Sequence, residues 1–194
     1  MRPIPGESEC VSLLEEAGCS EKVIRHCCVV MLVSMVIAKK AGADSELVRG
    51  GALLHDIGRS RTHGIRHVVA SVEILRSLDM PDELVRLVQR HVGAGLDKEE
   101  VERLGLPPGV YMPETIEEMI VCHADNLVDG SRIISFEDAL EDFESKGLDS
   151  SSLRMKEMEK EISRLTGMDT DRLLRDSKPM SVLRGPCSEY VYPR

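Results

Sequence analysis

The amino-acid sequence predicts an all-α fold, and three observations carry that prediction. Apolar residues recur at the three- and four-residue spacing of amphipathic helices. No stretch alternates apolar and polar residues for more than a few positions, as a half-buried strand would. Aromatic residues make up 3% of the 194 positions and tryptophan is absent, so the core must rest on Leu, Val, Ile, Met and Ala.

Capping residues, glycines and prolines bound the predicted helices. Ser20, Asp44 and Ser135 are the expected N-caps, Pro81 suits a first helical position, and Pro113 is expected to begin a helix. The predicted helices span about residues 8–17, 21–41, 45–56, 67–79, 81–91, 98–104, 113–125, 136–145, 153–165 and 170–176. Residues 58–64, which contain no apolar side chain, are expected to form a loop, and residues 178–194 an extended tail.

The character of the chain changes after Gly147, where a run of serines leads into a charged helix. The sequence therefore predicts a main domain at residues 1–148 and a helical C-terminal extension and tail at residues 149–194. The extension carries an apolar stripe at Leu153, Met155, Met158, Ile162 and Leu165. Packing on the core is the commoner fate of such a stripe, and a homodimer is left open.

Charge and cysteine usage limit the classes of partner. The formal net charge is −9, with acidic residues spread among basic ones, which argues against general nucleic-acid binding but permits a small basic pocket. The six cysteines form no Cys-x-x-Cys pair, and Cys27, Cys28 and Cys122 lie in apolar runs where a free cysteine behaves as a small hydrophobe. A reducing, cytoplasmic location is expected. No signal peptide or membrane span is predicted, because the longest apolar run, residues 27–38, has only 12 residues.

His55 and Asp56 place an imidazole and a carboxylate on consecutive residues at the end of a predicted helix. Adjacent helix positions point about 100° apart, so both side chains can reach one cation only where the helix ends. Gly58 is expected to end it, because glycine tolerates the left-handed backbone. Neutral imidazole with carboxylate suits Mn, Fe, Co or Zn, and carboxylate-rich sites favour Mg and Mn.

Four further residues extend this candidate site. His26 lies on or beside an apolar stripe, His67 opens a predicted helix, and His91 ends another. Asp125 interrupts an apolar helix face, and a buried carboxylate needs a partner or a metal. His123 lies about 200° around the helix from Asp125 and is predicted to be structural.

The order His, His-Asp, His, His, Asp resembles the HD-domain superfamily of metal-dependent phosphohydrolases, and the Ile-Gly after the pair resembles its HDIG subgroup. The resemblance spans roughly residues 18–130, with local matches at 24–26, 51–58, 67–75 and 124–127. It implies an HD-domain helical bundle, so that residues 1–148 would be the HD domain.

The candidate ligands allow one metal ion or two. His26, His55, Asp56 and Asp125 would complete a mononuclear site. His67 and His91 match the extra histidines of binuclear members of the superfamily and would serve a second ion, with Asp56 able to bridge. The expected cofactor is a divalent metal, as one or two ions of Mn, Fe, Co, Ni, Zn or Mg.

Arg59 offers a planar fork of donors for a phosphate at a position where HDIG proteins often carry lysine. Arg66 is expected to assist, and His63 is left at even odds between solvent and substrate. The resemblance implies that metal-activated water hydrolyses a phosphate mono- or diester of a nucleotide, with Asp56 and Arg59 as catalytic residues. A glutamate that some mononuclear HD nucleotidases carry where Arg59 stands is absent, which counts against a nucleotidase of that sort.

Two alternatives stay open at this point. Some proteins with a similar ligand order, such as myo-inositol oxygenase, use two irons to activate dioxygen, and these six ligands would permit iron. The other alternative is a non-catalytic ligand-sensing module in which the metal is structural. The arginine-bearing loop after Gly58 favours phosphate chemistry.

Overall fold

The protein is all-α, as predicted. The structure, a computed structural model, describes residues 2–192. The helices are α1 (Glu7–Glu16), α2 (Glu21–Ala41), α3 (Ser45–Leu54), α4 (His67–Ser77), α5 (Asp82–Gln89), α6 (Lys98–Arg103), α7 (Ile116–Asn126), α8 (Phe136–Ser145), α9 (Asp149–Thr166), α10 (Thr170–Ser177) and α11 (Cys187–Val191). Two 3-10 helices, Ile57–Ser60 and Pro179–Val182, and an antiparallel hairpin of β1 (Val128–Asp129) and β2 (Arg132–Ile133) complete the described elements.

Helix α2 forms the centre of the bundle. Its apolar run from Cys27 to Val33 is buried, and the helix contacts α3, α7, α9, α10 and α11. Surrounding α2 with helices removes this continuous apolar surface from water, which is the main force holding the domain together. No helix within residues 2–192 is both long and apolar enough to cross a lipid bilayer.

Side-chain caps set the starts of several helices, although Ser20, the expected cap of α2, occupies the N-cap without a side-chain hydrogen bond. The Asp44 side chain accepts hydrogen bonds from the first backbone N–H groups of α3, and Ser135 caps α8 in the same way, as predicted. Helix α7 begins at Ile116 rather than at Pro113, because Thr115 and Glu118 form a capping box that satisfies its free N–H groups. Proline 81 occupies the N-cap of α5, one position earlier than expected.

The C-terminal segment packs on the bundle and is more helical than predicted. Helix α9 starts at Asp149, four residues before the expected start, and contacts α2, α7 and α8. Its residues Met155, Met158 and Ile162 are buried, whereas Leu153 is 60% exposed, so most of the stripe faces the core. The expected extended tail instead holds a 3-10 helix and α11, and its last two residues lie outside the described range. The division at residue 148 stays a prediction.

A disulfide joins Cys28 in α2 to Cys187 in α11. The expectation that Cys28 is a free thiol is therefore wrong. Two hydrogen bonds lie beside this link: Arg25 Nε donates to the carbonyl of Tyr190 at 2.7 Å, and the N–H of Cys187 donates to a Glu7 carboxylate oxygen at 3.1 Å. The sequence could not pair these cysteines, because 159 positions separate them and spacing alone does not fix connectivity.

Candidate metal centre

The fold brings all six predicted ligands to one place. They come from separate elements: His26 from α2, His55 and Asp56 from the end of α3, His67 from the start of α4, His91 from the end of α5, and Asp125 from the last turn of α7. The side chains of His55, Asp56, His67 and His91 are 5% or less exposed, whereas those of His26 and Asp125 are 16% and 21% exposed. The cluster therefore has a buried end and an end open to solvent.

Close packing on Gly58 positions the His-Asp pair. The Ser71 hydroxyl donates to the carbonyl of His55 at 3.0 Å and accepts from the N–H of Gly58 at 2.8 Å. A Cβ on Gly58 would lie 2.1 Å from the carbonyl oxygen of His67, so only glycine fits between the two segments. Its backbone is not left-handed, so the expectation that it ends the helix by a positive φ is wrong. Glycine is needed here for close approach.

Each of the four histidines is oriented by a backbone carbonyl. The Nδ1 atoms lie 2.6 to 2.9 Å from the carbonyl oxygens of Gly130 (for His26), Ala52 (for His55), Gly64 (for His67) and Val88 (for His91). A carbonyl oxygen can only accept, so each Nδ1 carries a proton and Nε2 is the ring atom left to bind a metal. Metal-binding histidines are commonly oriented by such a bond.

The Nε2 atoms face one another and the two carboxylates. The Nε2 atom of His26 lies 2.9 Å from an oxygen of Asp125, and the Nε2 atoms of His67 and His91 lie 3.2 Å apart. Within residues 2–192, His55 Nε2 and Asp56 Oδ1 are buried without a hydrogen-bond partner. Acceptor atoms that face each other repel unless a proton or a metal ion lies between them. A divalent cation therefore fits this donor set.

Two overlapping groups of atoms have the spacing of metal ligands. Ligand atoms of His26, His55 and Asp125 all lie within 4.8 Å of one another, as do those of His55, Asp56 and His91. The Nε2 atom of His67 lies 3.1 Å from Asp56 Oδ1, so it adjoins the second group. The arrangement can hold one ion or two.

The electrostatics of the cluster favour bound positive charge. Burial, with His55 and His67 nearby, lowers the pKa of His91 to about 3, so its ring is neutral at ordinary pH. Burial alone would raise the pKa of Asp56 and of Asp125, but His55 outweighs it and holds both below their usual range. Burial would lower the pKa of His55, yet Asp56 and Asp125 raise it well above its usual value, so in the metal-free protein His55 holds a proton that a bound cation would displace. Both aspartates are thus ionised and attract a cation.

The three predicted substrate contacts fall in different places. Arg59 Nε bonds to Asp56, and its Nη1 donates to the carbonyl of His63 at 3.1 Å. The exposed His63 side chain borders a small cavity of about 240 Å³ that also reaches His67 and His91. Arg66 points elsewhere and donates to the carbonyl of Gly105, so the structure does not bring it to the cluster.

A larger cavity of about 860 Å³ opens on the other side of the cluster. Its inner end is formed by Arg59, His26 and Asp125, next to Gly93 and Asn126. Its outer wall is built by the hairpin and α8 and consists of Val128, Asp129, Arg132, Ile133, Ile134, Ser135, Asp138, Ala139, Asp142, Phe143 and Lys146. This cavity is large enough for a small organic ligand beside the cluster.

Two contributions were missed by the sequence reasoning. Ser71, which bridges His55 and Gly58, stands four residues after His67 on α4, so helical periodicity alone could have placed it on the same face. Phe143 on the cavity wall had no such signal, because it lies far along the chain from the ligands. His123 does face away, as expected, and its Nε2 atom lies 2.9 Å from a Glu159 oxygen.

Fold and site together define a class: an all-helical domain with a buried cluster of imidazoles and carboxylates suited to a divalent cation. Residues 23–128 match the family model described as HD domain. The chain belongs to the HD domain family, which confirms the resemblance found in the sequence.

Curated relatives carry several names. The tRNA (cytidine(56)-2′-O)-methyltransferase of Picrophilus torridus is 44% identical over 173 residues, which are 89% of this chain and 51% of that protein. An uncharacterized protein of Methanocaldococcus jannaschii is 50% identical over 133 residues, 66% of this chain and 79% of that protein. Ribonuclease Y of Thermosipho melanesiensis is 33% identical over 109 residues, 55% of this chain and 18% of that protein. The chain spans about half the length of the curated methyltransferases it matches.

Solved structures show the same fold. The HD domain of the L. monocytogenes phosphodiesterase PgpH superposes with a TM-score of 0.57 at 18% identity, covering 89% of this chain and 98% of that one. The same domain in complex with cyclic-di-AMP gives a TM-score of 0.57, covering 91% of this chain and 98% of that one.

Proposed function

We propose that this protein is a metal-dependent phosphohydrolase that cleaves a phosphate mono- or diester of a nucleotide. One observation carries the proposal: four imidazoles, each held at Nδ1 by a backbone carbonyl, turn Nε2 towards two ionised aspartates in a largely buried site. A site organised in this way needs little rearrangement to bind a cation. A cavity with an arginine at its inner end adjoins it.

The residues that would hold the metal are His26, His55, Asp56 and Asp125, with His67 and His91 for a second ion. A divalent ion bound there supplies positive charge for phosphoryl oxygens and lowers the pKa of a water molecule towards neutrality. The burial of His55 and Asp56 keeps bulk water from competing for that charge.

Two side chains would act on the substrate itself. Arg59 lies at the inner end of the cavity, and its guanidinium can turn from Asp56 to a phosphoryl oxygen, where its paired N–H donors match the geometry of a phosphate. Such donors stabilise charge that grows on the oxygens during the reaction. Asp56, whose Oδ1 lies 3.1 Å from His67 Nε2 and 3.8 Å from His91 Nε2, would orient the attacking water and accept its proton.

The names of the relatives support hydrolysis more than methyl transfer. PgpH is called a phosphodiesterase and ribonuclease Y a nuclease, and both terms describe cleavage of phosphate esters. The methyltransferase name belongs to proteins about twice as long as the matched segment. A cluster of imidazoles and carboxylates suits a divalent cation, whereas methyl transfer calls for a site that holds a methyl donor.

The experiment is an ester panel with metal analysis. Purified protein loaded with Mn²⁺, Co²⁺, Ni²⁺ or Mg²⁺ is assayed on nucleotide mono- and diesters, and Asp56→Ala is compared with Asp176→Ala, a control at an exposed aspartate of α10. Asp56→Ala should lose both hydrolysis and bound metal, and the control should keep both.

Equal hydrolysis by Asp56→Ala and wild type would refute the proposal. Oxygen uptake by iron-loaded protein without phosphate release would favour oxygenase chemistry. Methyl transfer from S-adenosylmethionine to tRNA, without ester hydrolysis, would make the methyltransferase name apply to this chain.

A further inference from the structure

All residues of the outer wall of the large cavity except Val128 follow the segment matched by the HD family. That match ends at residue 128, whereas the hairpin and α8 extend from there to Ser145. Variation in this wall would therefore change what the cavity accepts without changing the six candidate ligands. The wall is where selectivity particular to this chain is expected.

Phe143 is the aromatic side chain of this wall. The chain contains only two phenylalanines and three tyrosines, so an aromatic ring is a rare side chain here, and one of the few lines this cavity. Its Cε1 atom lies 3.9 Å from the position a Cβ would take on Gly93, at the inner end of the cavity. Gly93 is held in place because its carbonyl accepts a hydrogen bond from Asn126 at 2.6 Å. The half-buried ring of Phe143 therefore packs next to Gly93, at the end of the cavity that adjoins the cluster.

The charges on the outer wall cancel or leave an acidic excess. Arg132 lies 3.4 Å from Asp129, and Lys146 lies 2.5 Å from Asp142, so each cation of the wall already has an acidic partner. Asp138 adds a third carboxylate against two cations. A phosphate placed on this wall would have to displace an acid and would remain near the others. An uncharged ring system meets no such penalty.

We infer that the outer cavity binds the nucleoside of a substrate whose single phosphate lies at the His/Asp cluster, with the base stacked on Phe143. The inference rests on the proposed function and narrows its substrate class to nucleotides that carry negative charge only at the metal end. Every nucleobase has a flat face that can stack on an aromatic side chain, so the ring of Phe143 favours a nucleoside without selecting one particular base.

The test is calorimetric binding to the full, Mn²⁺-loaded protein. The probes are the non-hydrolysable 5′-methylenephosphonates of adenosine and of ribose, which share the anionic group and differ in the base. Adenosine phosphonate should bind at least about tenfold more tightly, the size expected for one stacked base. Phe143→Leu should remove that difference without weakening the ribose compound, and Phe143→Tyr should keep it.

Phe136 provides a matched control, because it is the other phenylalanine of α8 and its ring packs near His123 at 5.9 Å between centroids. Phe136→Leu should bind both probes as wild type does. The α,β-methylene analogue of ADP tests the charge argument: it should bind no more tightly than the monophosphonate. Asp142→Asn, which frees Lys146, should shift preference several-fold towards this analogue.

Equal affinity for the adenosine and ribose compounds, or no effect of Phe143→Leu, would overturn the inference. Tenfold tighter binding of the diphosphate analogue, of cyclic-di-AMP or of a short oligoribonucleotide would also overturn it, since each brings extra phosphate. Hydrolysis without any dependence on Phe143 removes this inference alone. Phe143-dependent binding without hydrolysis of any ester removes the proposed reaction and leaves the binding site standing.

Discussion

Breaking the link between Cys28 and Cys187 should destabilise the protein strongly. The bond closes a loop with a sequence separation of 159 residues. Chain-entropy reasoning assigns a loop of that length about 5 kcal/mol, and measured effects more often fall near 2–4 kcal/mol. We therefore expect the Cys28→Ser/Cys187→Ser variant to lose about 3–5 kcal/mol of unfolding free energy. For a chain of this size that corresponds to a melting temperature roughly 6–20 °C lower.

Two measurements check this prediction. Thiol titration of the protein unfolded without reductant should count four free thiols, because Cys10, Cys19, Cys27 and Cys122 are unpaired in the structure. Urea unfolding should then show the loss of stability in the double variant, and an equal loss when wild type is reduced. Cys10→Ser, at a buried free cysteine, controls for replacing sulfur in the core.

The reasoning fails on either of two results. Six titratable thiols would mean that the bond does not form in the isolated protein. Coincident unfolding curves for oxidised wild type and the double variant would mean that the bond forms but does not stabilise the native chain relative to the unfolded one.

Three further predictions concern the site and its supports. Gly58→Ala should lower the unfolding free energy by about 3 kcal/mol or more, because its new Cβ would meet the carbonyl of His67 at 2.1 Å and the amide nitrogen of Ser71 at 2.4 Å. Urea unfolding measures this loss. Gly64→Ala is the control and should be neutral, because the space around Gly64 is open. Burial would raise the pKa of Glu159, but its contact with His123 lowers that pKa from 4.5 to about 2. This pairing should stabilise the fold by about 2 kcal/mol above pH 4.5, after allowance for solvent screening. The stabilisation should vanish as the pH falls through about 2. Glu159→Gln should lack that pH dependence in acid unfolding curves, and an unchanged curve would contradict the assignment. Mn²⁺ at about one hundred times its dissociation constant should stabilise the protein by about 2.7 kcal/mol and so raise its melting temperature. A chelator should reverse that rise. If no divalent ion raises the melting temperature, the protein has no metal centre of the kind described.

Structural features that depend on a few neighbouring residues were predicted correctly. The span of α2 agrees with its predicted bounds, and the Asp44 and Ser135 caps were read from single side chains next to apolar runs. At the start of α7 two sequence features competed. Pro113 suggested that the helix begins there, but the capping box at Thr115 places its first residue at Ile116. The six candidate ligands were found because a family pattern supplied long-range information that periodicity lacks.

Contacts between distant segments were beyond the sequence. Gly58 was recognised as important for the wrong reason, because its close neighbours come from α4 and not from its own helix. The disulfide and the position of Phe143 depend on how the C-terminal half folds back on α2 and α7. Arg66 looked like a phosphate ligand by proximity in sequence, yet its side chain turns towards Gly105.

The interaction of His123 with Glu159 affects how the chain can be shortened. Glu159 also accepts a hydrogen bond from the N–H of Thr170, so it links α7, α9 and α10. A chain trimmed to the HD-matching residues 23–128 would leave His123 facing water on a stripped apolar surface, two positions from Asp125. Such a fragment would be expected to aggregate, so any dissection of this protein should retain the helices that follow the recognisable family segment.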